Sequence, residues 1–155
     1  RMIAYSPTAR QYEVYYHLDA LESYQLPRLL APCGLESRTE ELLDYLVEAY
    51  GRSFRAGQLG KSVGVSYTAR ASGEARSVTL FFFAGAFWGS DARIRQEFGR
   101  LSRAMGWDDS RYQRLTAELA TCQTWKTFHG IFGVTLGRGG HLSISAGVRP
   151  PEAAP

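Results

Sequence analysis

The segment SVTLFFFA, residues 77–84, alternates strictly between two kinds of side chain. Val78, Leu80, Phe82 and Ala84 fall on one face of an extended strand, and Ser77, Thr79, Phe81 and Phe83 fall on the other. An antiparallel strand over an ordinary core is apolar on one face and charged on the other. Here the second face carries hydroxyls and aromatic rings, as does the wall of a cavity that encloses an organic molecule. With KSVGVSYTAR before it and ASGEA as the turn, the stretch reads as a hairpin.

A second strand of the same kind precedes it. QYEVYYHL, residues 11–18, puts Gln11, Glu13, Tyr15 and His17 on one face and Tyr12, Val14, Tyr16 and Leu18 on the other. MIAYSPTARQ supplies its hairpin partner, with Pro7 in the turn. DALESYQLPRLLAPCG reads as a helix kinked or split at Pro27 and ending at Gly34. SRTE at 37–40 is a capping box, Ser37 with Glu40. The helix that follows has a buried stripe of Leu42, Leu43, Leu46, Val47 and Tyr50, and Gly51 closes it. After the 61–87 hairpin, Ser90 or Asp91 caps a helix with Ile94, Phe98, Leu101 and Met105 on its inner face and Gly106 at its end. DDSRYQRLTAELATCQTW restarts a helix on Tyr112, Leu115 and Leu119. HGIFGVTLGRGGHLSISAGV reads as two strands around GRGG, and RPPEAAP as a disordered tail.

Strand pairs and helix pairs therefore alternate, with a spacing of about sixty residues, and no crossover of the parallel-sheet type occurs. The expected fold is α+β, with antiparallel hairpins surrounded by helix pairs in ββαα order. Helix pairs that join antiparallel hairpins lie on one face of the sheet, so the other face must be buried some other way. Closing the sheet into a barrel, or part of one, buries it and makes the hydroxyl-aromatic face a lumen. Residues 1–149 are read as one domain and 150–155 as the tail.

The composition agrees. Of 155 residues, 45% are hydrophobic, which suits one globular domain, and nine Tyr, eight Phe and three Trp suit a pocket for flat ligands. The net charge is +3 and the basic residues are scattered, which argues against a nucleic-acid surface. No apolar run approaches the roughly 18 residues of a membrane span, and no signal peptide opens the chain, so the expectation is a soluble, cytoplasmic protein. Cys33 and Cys122 sit outside any CxxC spacing and read as free thiols in a reducing compartment. His129 and His141 lack metal-ligand spacing, so no metal site is expected. GRGG lies between strands and is a turn rather than a phosphate cradle. Trp88, Trp107 and Trp125 stand at element ends, where they pack helices onto the sheet. No nucleophile elbow, Walker loop or dinucleotide fingerprint occurs.

RQYEVYYHL, GVSYTARASGEARSVTLFFF and IFGVTLGRGGHLSISAGV, in this order, resemble three successive segments of the aromatic prenyltransferases of the ABBA or PT-barrel family, including its indole dimethylallyltransferase-like branch. The resemblance covers roughly the C-terminal half of such an enzyme. It implies a transferase of secondary metabolism that moves a prenyl group from a prenyl diphosphate onto an aromatic acceptor (indole, phenol or similar) inside the barrel. It also implies diphosphate binding by Lys61, Tyr67, Arg70 and Arg76, and shielding of the allylic cation or acceptor by Tyr15, Phe81, Phe83 and Ser143. Glu13 and His17 share the presumed lumen face and are candidate general bases. No cofactor is required, and Mg²⁺ is possible. Glu13 stands where such enzymes often carry Lys or Asn, and Thr79 where some carry Lys. The alternative is therefore a non-catalytic aromatic-binding or partner subunit on the same scaffold. Six strands are too few to enclose a wide lumen, so a homo-oligomer or a complementary N-terminal half is expected.

Overall fold

The computed structural model describes residues 2–50, 58–122, 127–140 and 142–149. Gly51, Trp125, His141 and the tail from 150 onward lie outside the described residues, as do the side chains of Tyr50 and Lys61. Six strands form one sheet in sequence order: β1 (Met2–Ser6), β2 (Gln11–Glu22), β3 (Gln58–Arg70), β4 (Ala75–Phe83), β5 (His129–Gly137) and β6 (Leu142–Val148). Every neighbouring pair is antiparallel, and the sheet curls into a half-barrel with helices around it. The expected strand-pair and helix-pair order holds.

The helices are shorter than their sequence pattern predicts. Asp19–Glu22 continues β2 instead of starting a helix, and Pro27 does not kink one. It sits in the first turn of α1 (Leu26–Leu30), where a missing N–H costs nothing. Gly34 then ends the segment in the left-handed conformation at φ 64°, as expected. Ser37 lies inside a 3₁₀ turn, Glu36–Arg38, ahead of α2, which runs Thr39–Tyr50. A short helix, α3 (Ala84–Trp88), follows β4 directly, ahead of α4 (Asp91–Ala104). Last come α5 (Ser110–Leu115) and a 3₁₀ turn, Ala117–Thr121, in place of one longer helix. Leu115 and Met105, expected on buried stripes, are exposed. None of the described helices is long and apolar enough to cross a membrane.

One core lies between sheet and helices. Val63, Val65, Val78, Leu80, Phe82, Phe132, Val134 and Leu136 point from β3, β4 and β5 into it. They meet Leu26, Leu30, Leu42, Leu46, Ile94 and Leu101 from the helices. Phe87 and Trp88 of α3 pack on Phe132 with ring centroids 5.4 and 4.6 Å away, and the Trp88 indole N–H donates to the carbonyl of Ala49 at 2.9 Å. Trp88 thus joins the two helix groups above the sheet.

Candidate functional site

The sheet register arranges the opposite face in rows. One row crosses five strands as Tyr15, Ser66, Thr79, Thr135 and Ser143. The next reads His17, Gly64, Phe81, Gly133 and Ser145. On the other side of the first row stand Glu13, Thr68, Ser77 and Gly137. Two-residue alternation explains why these side chains share a face away from the helices. Hydroxyls and aromatics dominate it, as the alternation in residues 77–84 predicts.

Local contacts organise the rows. The Ser66 hydroxyl, fully buried, donates to Glu13 Oε1 at 2.7 Å. Thr79 and Thr135 join their hydroxyls at 2.8 Å. Tyr15 stacks on Phe81 with centroids 6.1 Å apart and ring planes inclined by 29°. Partial burial, a hydrogen bond to Glu13 and the nearby Glu13 charge push the Tyr15 phenol up to about 12. It stays neutral through the physiological range and acts as a donor. His17 shares a hydrogen bond between its Nε2 and Ser62 Oγ at 2.9 Å. A cavity of about 110 Å³ opens between His17, Ser62, Gly64, Phe81, Phe83 and Ile131.

Phe81 lies in a gap made for it. A Cβ on Gly64 would come within 3.2 Å of Phe81 Cβ. One on Gly133 would meet Ser145 Oγ at 2.6 Å and the Phe81 ring at 3.3 Å. The ring covers backbone that has no side chain of its own, an arrangement known to compensate glycine in sheets. Strand glycines commonly mark such close approaches, and these two are the signal that sequence reasoning missed.

The expected residues are only partly brought together. Glu13, Tyr15, His17, Phe81, Phe83 and Ser143 share the lumen face, with Phe83 and Ser143 open to solvent. Tyr67 is a correction: it faces the helices. Its hydroxyl donates to the Leu29 carbonyl at 2.8 Å and its ring packs edge-on against Tyr16. Alternation fixes this, because Tyr67 is two residues from Val65, a core residue. Lys61 pairs with Ala20 and Arg70 with Gln11 in the same ladder, nine residues apart and therefore about 30 Å along β3. Arg76 belongs to a cluster at the strand turns: Glu74 ion-pairs with both Arg76 and Arg138. Arg138 also donates to the Cys33 carbonyl at 2.6 Å, and Arg38 to those of Gly137 and Gly140. These arginines pin the hairpin tips to the loop between α1 and α2. Tyr67 and Arg76 are thus engaged with partners of their own, and the backbone positions of Lys61 and Arg70 stand near opposite ends of β3.

A second polar assembly lies on the helix side. Asp91, fully buried, accepts from the backbone N–H groups of Phe128 and His129 and pairs with His129 Nδ1 at 2.6 Å. His129 Nε2 shares a 2.8 Å hydrogen bond with the Tyr112 hydroxyl. Burial raises the Asp91 carboxyl, but these hydrogen bonds and the imidazole outweigh burial and hold it below the usual carboxylate range. The Tyr112 phenol is pushed far up by burial and stays neutral. The chain of three ties the start of α4 to α5 and the start of β5. No group of three or more metal-binding side chains occurs among the described residues.

Helix-wrapped, antiparallel and lined with hydroxyls and rings, the half-barrel has the fold of the aromatic prenyltransferase barrels. It superposes on the prenyltransferase PriB with a TM-score of 0.63 over 92% of this chain, at 16% identity. A 5-dimethylallyltryptophan synthase from Streptomyces coelicolor, solved in complex with DMASPP and Trp, gives 0.65 over 93% of the chain at 18% identity. PriB has also been solved with L-tryptophan and dimethylallyl thiolodiphosphate. The chain spans 43% of each of these larger proteins. No protein-family model matches the sequence, and no curated protein does.

Proposed function

We propose that this chain forms the acceptor-binding part of an aromatic prenyltransferase, with the lumen completed by strands outside it. The observation that carries this reading is the lumen wall itself, in which Tyr15 stacked on Phe81 adjoins the Glu13 carboxylate and a row of hydroxyls. In prenyl transfer the bond between the prenyl C1 and the diphosphate oxygen breaks and diphosphate leaves with the electron pair. The allylic cation is attacked by an electron-rich ring carbon, and the ring then loses the proton from that carbon. Aromatic faces stabilise the cation and keep water away, which is the part for Tyr15, Phe81 and Phe83. Glu13 or His17 accepts the proton. Ser143 offers a hydroxyl for the acceptor's polar edge. The diphosphate needs cations, and these come in this reading from strands beyond the chain. No cofactor is required, and Mg²⁺ is one means of shielding diphosphate from Glu13.

Incubation with dimethylallyl or geranyl diphosphate and a panel of indoles, phenols and naphthalenes tests the proposal by mass spectrometry. A product heavier by one prenyl group supports it; folded chain that yields none counts against it. The scarcity of cations on the described wall favours a second reading, a non-catalytic aromatic-binding subunit on the same scaffold. In that case aromatic compounds raise the melting temperature and prenyl diphosphates do not.

A further inference from the structure

Near one end of β2, an acid, a base and a hydroxyl lie in sequence on the lumen face. His17 and Asp19, two residues apart, share that face by alternation. The ladder pairs Leu18 with Val63 and Ala20 with Lys61, so Ser62 of β3 stands opposite Asp19. His17 Nε2 lies 2.9 Å from Ser62 Oγ, and His17 Nδ1 lies 3.6 Å from Asp19 Oδ1. A carboxylate beside Nδ1 favours the tautomer with its proton there, which leaves the Nε2 lone pair to accept from the Ser62 hydroxyl. Ser62 and His17 are 45 residues apart in sequence, so no local motif announces the pair. Ser62 also has φ 62°, in the left-handed region, which Arg10 alone shares among the other described non-glycine residues. Backbone strain of this kind clusters at active sites. Beside Ser62 opens the cavity of about 110 Å³, walled by Phe81, Phe83 and Ile131 and bare of a side chain at Gly64.

We propose that Ser62 is a nucleophile for acyl transfer, with His17 as its general base and Asp19 as the residue that positions His17. The substrate class is an activated carboxylic ester whose short apolar acyl chain enters the cavity. Ser62 Oγ attacks the ester carbonyl while its proton passes to His17 Nε2. The carbon–oxygen bond to the leaving group then breaks, and the leaving oxygen takes that proton. Water hydrolyses the acyl-serine by the same route. It adds to the carbonyl carbon as His17 takes its proton, the bond to Ser62 Oγ breaks, and that oxygen recovers the proton as the acid departs. Asp19 is fully exposed and His17 is 61% exposed, so water weakens their attraction and the reaction is slow. It needs neither a diphosphate nor an aromatic acceptor, and so stands apart from prenyl transfer.

Incubation of the full chain with p-nitrophenyl acetate near neutral pH tests this. Release of p-nitrophenolate is followed by absorbance, and acid-quenched samples are mapped by peptide mass spectrometry. The expected result is release that depends on Ser62, with an acetyl group trapped on Ser62. Ser62→Ala should lose both. Ser62→Gly should also lose both while unfolding no more easily than wild type, because glycine suits φ 62°. That variant separates loss of the nucleophile from loss of the fold. His17→Gln is expected to slow acetylation about a hundredfold. Asp19→Asn is expected to slow it roughly fivefold, and Asp19→Glu to restore part of the rate, which a merely structural residue would not do. Release no faster from wild type than from Ser62→Gly, or an unchanged rate in His17→Gln, overturns the proposal.

Discussion

Gly133 and Gly130 lie three residues apart on β5, yet the structure asks different things of them. A side chain at Gly133 would collide with Ser145 and the Phe81 ring, whereas one at Gly130 would find nothing closer than the Gly147 carbonyl at 3.8 Å. Gly133→Val is therefore expected to cost about 1–3 kcal/mol through overpacking, and Gly130→Ala to change stability by less than about 0.5 kcal/mol. Urea unfolding midpoints compare the two directly, and equal effects would show that Phe81 has no fixed seat. At this scale the sequence was legible where alternation was regular. Glu13, Tyr15, His17 and Phe81 were assigned to the lumen by period alone and lie there. Tyr67 resembles a diphosphate-binding tyrosine, but its own period places it on the face of Val65, on the helix side. The arginines were illegible for another reason. Arg38 and Arg138 find backbone carbonyls far away in sequence, and no local pattern announces those partners.

Between elements, the chain Asp91–His129–Tyr112 does the work of a clamp. Spacing alone gave no sign of it, because the Asp and the His stand 38 residues apart. Strand and helix-pair order were readable from period and turn residues, but helix ends were not. Pro27 marked a beginning and was read as a kink, and Leu115 continued a helical pattern that the structure stops at that residue. The clamp has a pH signature. Asp91's carboxyl is held below its ordinary value in the fold, so the stability it contributes is present above the unfolded-state value of about 3.9. That contribution is lost as pH falls through the lower folded value. Asp91→Ala removes one partner of a buried pair and is expected to cost about 3–5 kcal/mol at pH 7. Tyr112→Phe removes one hydrogen bond and is expected to cost about 1 kcal/mol. Denaturant titrations between pH 7 and pH 3 check this: the difference between wild type and Asp91→Ala should shrink toward the acid end. A difference that stays constant would mean that the carboxylate's charge plays no part.

At the scale of the whole molecule, the sheet has two unpaired edges among the described residues, β1 and β6, and the described helices cover only part of its outer face. Every residue of β1 is exposed. On the face that elsewhere carries the core, Ile3 is 68% exposed, Tyr5 51% and Tyr12 41%, with the two tyrosine rings 4.8 Å apart. Near the other edge Leu115 is 74% exposed, beside an apolar groove of about 630 Å³ that Trp107, Tyr112, Leu142 and Ile144 help to line. Free edges and apolar patches of this kind are where chains associate. Six is an even number, so β1 and β6 run in opposite directions. A second copy, rotated by half a turn about the barrel axis, would therefore set its β1 antiparallel to β6 and close both seams at once. A complementary half would close them equally well. The chain alone is thus expected to exceed its monomer mass of 17.3 kDa in light scattering at micromolar concentration. Ile3→Lys with Tyr12→Lys should shift that species toward one chain's mass without altering Glu13, Tyr15 or Phe81. A wild-type species of one chain's mass that binds an aromatic ligand would show that the half-barrel needs neither copy nor complement.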